Sequence, residues 1–61
     1  MPSDEVRRLL KLFGVAMTEF EDAVHQGAAP EEIGKREAEV RARLEEIEAL
    51  IDHLSRRIAE E

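Results

Sequence analysis

The stretch Gly27-Ala28-Ala29-Pro30-Glu31-Glu32 constrains this chain more than any other. Apolar residues recur with a helical period before it and, in a new frame, after it. Glycine takes φ > 0 without strain from a Cβ atom, so Gly27 suits the position just past a helix end. Proline lacks an N–H, and Pro30 suits the first position of a following helix, where that group has no partner anyway. Glu31 and Glu32 then place negative charge beside the unpaired N–H groups of the first turn. Ala29 offers no side-chain acceptor, so no capping box closes there. The stretch reads as the bend of a helical hairpin.

Ser3 or Asp4 can cap the first helix, and Asp4 and Glu5 suit its positive end. Val6, Leu10, Phe13, Met17, Phe20 and Val24 follow at alternating spacings of four and three, which is a heptad stripe. Leu9, Ala16 and Ala23 widen the stripe on one flank, and Leu12 and Val15 lie outside it. Gly14 falls mid-helix, where glycine costs about 1 kcal/mol against alanine. It is either a tolerated weakness or a place where another helix comes close. The second stripe runs through Ile33, Val40, Leu44, Ile47, Ile51, Leu54 and Ile58, with Leu50 off it. Glu37 takes the one position in phase with the stripe that lacks a hydrophobe. It reads as a solvated or arginine-paired carboxylate, with a register-setting polar residue as the alternative.

The expected fold is therefore all-α, an antiparallel helical hairpin. One helix covers about residues 4–26, a bend covers 27–29, and a longer helix covers about 30–59. The whole chain, 1–61, is one domain. Charge order supports this layout. Folding back at the bend brings Arg7, Arg8 and Lys11 towards Glu45, Glu46 and Glu48. It also brings Glu19, Glu21 and Asp22 towards Lys35 and Arg36. Along the second helix, acid-first pairs such as Glu31/Lys35, Glu32/Arg36, Glu37/Arg41, Glu39/Arg43 and Asp52/Arg56 each add about 0.2–0.5 kcal/mol.

At 61 residues the chain is marginal by itself, because small domains bury a low fraction of their surface. A hairpin has one stripe per helix to bury, and the longer second helix leaves Leu54 and Ile58 beyond the start of the first. The expectation is that another protein chain completes the core as a helical bundle, giving a homodimer or a hetero-oligomer. The surplus apolar residues Leu9, Leu12, Val15, Leu50, Leu54 and Ile58 are the candidate partner-binding set.

A formal net charge of −6 argues against a sequence-independent grip on nucleic-acid phosphates and against an anionic membrane surface. No apolar run approaches the roughly 20 residues of a membrane span. The start, Met1-Pro2-Ser3-Asp4-Glu5, lacks the positive charge of a signal peptide. With no cysteine there is no disulfide and no thiolate site, and a cytoplasmic location is expected.

Catalytic chemistry is not indicated. There is no glycine-rich phosphate loop and no paired-histidine motif. Ser3 and Ser55 are the only serines, so a nucleophile with a positioned base is hard to assemble. Glu45, Glu46 and Glu48 read as a solvated face. His25 ends the first helix near Glu21 and Asp22, and His53 lies towards the other end of the hairpin. Both read as surface residues. No catalytic, metal-binding or cofactor-binding residue is assigned, and the chain reads as a non-enzyme.

The order of a short helix, Gly27-Ala28-Ala29-Pro30-Glu31-Glu32, Ile33 and the Leu44–Leu54 apolar run resembles the YscE/PscE-type family over Val15 to Arg57. These are small partner chaperones of type III secretion needle subunits, although Ile33 stands where that family would carry an aromatic. The resemblance implies a helical hairpin that joins a helical-repeat chaperone to hold a needle subunit soluble in the cytoplasm. A Rop-like homodimer of two hairpins is the alternative that the length and acidity suit. A small accessory subunit of a larger enzyme, as in exonuclease VII, is another. Its usual Leu-Glu-rich first helix is not matched by Gly14-Val15-Ala16-Met17.

Overall fold

A computed structural model describes residues 3–60, with side chains through Ile58. Met1 and Pro2, part of the start read above, lie outside the described residues. The fold is an all-α hairpin of two helices, α1 at Asp4–His25 and α2 at Pro30–Glu60. The two helices pack side by side over the length of α1.

Local chemistry sets the ends. The Ser3 hydroxyl accepts from the Val6 N–H at 3.1 Å, and the Ser3 carbonyl accepts from Arg7 at 3.1 Å. Ser3, not Asp4, is thus the N-cap. At the other end Gly27 takes φ 69, the left-handed conformation that closes a helix. The Ala28 N–H donates to the Ala23 carbonyl at 3.0 Å and the Gly27 N–H to the Val24 carbonyl at 3.2 Å. Those two bonds are the Schellman pattern, and they pair carbonyls that the helix end leaves free. Two residues later the Ala29 carbonyl accepts from Glu32 and Ile33, at 2.9 and 3.0 Å, with Pro30 as the first helical residue. The bend therefore turns the chain with backbone bonds alone.

The core differs from the stripe expected inside the hairpin. Among the described residues, those buried are Leu9, Ala16 and Ala23, at 9%, 3% and 7% exposure. Phe13 and Phe20 flank them, half-buried. Leu10, Met17 and Val24, expected inside, are exposed at 56%, 41% and 48%. The side of α1 turned to α2 is thus rotated by about one residue from the stripe of largest hydrophobes. On α2 the half-buried row is Ile33, Val40, Arg43, Ile47 and Leu50, while Leu44 and Ile51 are exposed. The physical reason is width. The apolar arc of α1 is broader than one neighbouring helix can cover, so the alanines take the closest approach and the larger side chains spread onto one side.

Candidate interaction face

Two sides of the hairpin differ in chemistry. On the first, charged and polar residues outnumber apolar ones around two shallow hollows. Glu19, Asp22, Gln26, Glu32 and Arg36 join Ala23 and Ala28 near the bend. Glu5, Arg8, Glu46 and His53 join Leu9, Ala49 and Leu50 towards the open end. Here Arg36 bridges the helices, at 3.7 Å from Glu19 and 2.8 Å from Glu32. This matches the expected pairing of the acidic end of α1 with the basic start of α2. Arg8 and Glu46 line one hollow at the opposite end, where Glu46 is held by Arg43 of its own helix and makes no ion pair with Arg8.

Arg43 holds Glu39 at 3.1 Å and Glu46 at 2.9 Å on its own helix. Hydrogen bonding to Glu46 chiefly, and the charges of Glu39 and Glu46, push its guanidinium above its ordinary, already strongly basic value. Arg43 is therefore a permanent cation at the edge of the helix contact.

The second side is apolar. Met17, Phe20, Val40 and Leu44 line its central hollow, and the Glu37–Arg41 ion pair, at 2.8 Å, forms the rim. Leu10 and Val24 extend this face along α1, because they stand seven residues from Met17 and so share its helical row. Ile51, seven residues from Leu44, extends it along α2. Glu37 is the arginine-paired carboxylate expected for that position.

The six candidate partner residues do not fall on one face. Leu9 is buried between the helices, so a partner cannot reach it without opening the hairpin. Leu12 and Leu50 are half-buried. Leu50 lines the charged-side hollow with Leu9, which corrects its reading as a residue off the helix contact. Val15, 50% exposed, shares a seven-residue row with Arg8 and Asp22 on the charged side. Leu54 and Ile58, at 45% and 74%, are exposed on the part of α2 that runs past the level of Asp4.

The residues of the open face missed at the sequence level are Leu10, Met17, Val24, Leu44 and Ile51, which were assigned to the interior. Leu9, Ala16 and Ala23, seven apart and mostly small, were the signal that could have placed the contact correctly. His25 and His53 are exposed near opposite ends. Among the described residues, no group of three or more His, Asp or Glu could hold a metal ion, and no helix is long and apolar enough to cross a membrane. No family model, curated protein or solved structure matches the chain, so the bend-centred resemblance to secretion chaperones rests on its own residues.

Proposed function

We propose that this chain is a non-catalytic, cytoplasmic helical docking module whose second side is completed by another protein chain. The observation that carries the reading is the apolar face of Leu10, Met17, Val24, Leu44 and Ile51, exposed beside a core of only three buried residues among those described. A two-helix hairpin with so small a core gains stability by covering such a face. Helix-on-groove docking is the recognition mode that this shape supports. A co-chaperone of a secretion subunit and a subunit of a larger enzyme are forms of the same reading with different occupants.

The test is the mass of the purified chain by light scattering, with helicity by circular dichroism on the same sample. Association, or incomplete helicity in isolation, supports the reading. Met17→Glu with Leu44→Glu is expected to abolish association, since both positions are more than 40% exposed in the lone hairpin. A fully helical monomer overturns the reading.

A further inference from the structure

We infer that the chain covering the apolar face is a second copy of this one, crossed antiparallel about Gly14 so that α1 lies along α1. The inference rests on the docking reading above and names its occupant. Three observations point to it.

The first is an unexplained glycine. Gly14 lies in the middle of α1, and a Cβ there would meet nothing within 4 Å. The hairpin itself has no need of a glycine at this position, yet glycine weakens a helix interior. Gly14 borders the open face, since Leu10 and Met17 stand four residues before it and three after it.

The second is charge. Arg7, Gly14 and Glu21 form one seven-residue row on the rim of that face. Arg7 and Glu21 stand seven residues either side of Gly14. An antiparallel copy crossed at Gly14 therefore sets each Arg7 against Glu21 of the other copy, twice by symmetry. It also lays Leu10 of each copy near Met17 of the other. The other two-fold arrangement, with α1 over α2 of the second copy, sets Arg7 near Glu48 and Glu21 level with Lys35, within a turn of Glu37 as well. It gives Gly14 no role.

The third is reach. The Glu19–Arg36 bridge fixes the level of the two helices, and Gly14 stands opposite about Ala42 of α2. Gly14 is also close to the midpoint of Asp4–His25, so two α1 helices crossed there overlap along their full length. On α2 the same axis brings Ile51 beside Ile33 of the second copy. Leu54 and Ile58, which α1 leaves uncovered, reach the second copy's bend.

The experiment is sedimentation equilibrium on the full chain and three variants. The native chain is expected to be a dimer at micromolar concentration. Arg7→Glu and Glu21→Arg each replace two attractions with two repulsions, and each should weaken the dimer about tenfold. Their equimolar mixture should recover native strength, because one copy then carries two acids and the other two bases at the paired positions. Gly14→Glu should raise helicity while weakening the dimer, since a residue on the axis meets its own copy. A mixture no tighter than either variant alone overturns the antiparallel crossing. A native monomer with incomplete helicity overturns the second copy as occupant but leaves the docking reading standing. A fully helical monomer overturns both.

Discussion

Gly27 is the residue on which the bend depends most directly. Its φ of 69 lies where a Cβ atom crowds the backbone, although the surrounding space is open. Gly27→Ala should therefore lower stability by about 1–2 kcal/mol through the backbone alone, measured by urea unfolding. Ser3→Ala should cost about 1 kcal/mol by removing the acceptor for Val6, visible as fraying of the first turn in hydrogen exchange. Arg43 offers a pH prediction with a definite sign. A raised folded value means that its contribution is present below the unfolded value and lost only as pH climbs through the folded one. Both lie in strongly alkaline solution, so stability measured between neutral pH and pH ~10 should show no titration of Arg43.

At the scale of the helix, α1 carries more hydrophobic surface than α2 can cover. Ala16 is 3% exposed and marks the tightest approach, so Ala16→Leu should push the helices apart and cost about 1–3 kcal/mol in thermal unfolding. Val15→Ala, one residue away but half exposed among charged neighbours, should change stability by less than about 0.5 kcal/mol. This contrast tests the corrected orientation of α1. It also shows why the sequence misled about the interior. Leu10, Met17 and Val24 are larger than Leu9, Ala16 and Ala23, and a stripe chosen by size points to the middle of the apolar arc. The arc's middle faces neither α2 nor the open side squarely. It points between them, as a helix with two neighbours requires.

At the scale of the molecule, the Cα trace measures 50 × 20 × 11 Å, so the hairpin is one helix thick. Each helix has a single neighbour, which leaves Met17, Leu44 and Ile51 in water on one side. If a second layer covers them, the thermal midpoint should rise with protein concentration, because association adds stability by mass action. The start of each helix to within a residue, the end of α1, the bend and the antiparallel order were readable from single residues. Ser3, Gly27 and Pro30 act on their own backbone neighbours, and local chemistry needs no knowledge of the rest of the chain. The pairing of Glu19 with Arg36 followed once the bend had set which residues stand level. Which row of α1 meets α2 was decided by the tertiary structure alone. Rows that differ by one residue are both apolar here, and only the close approach at Ala16 and Ala23 selects between them.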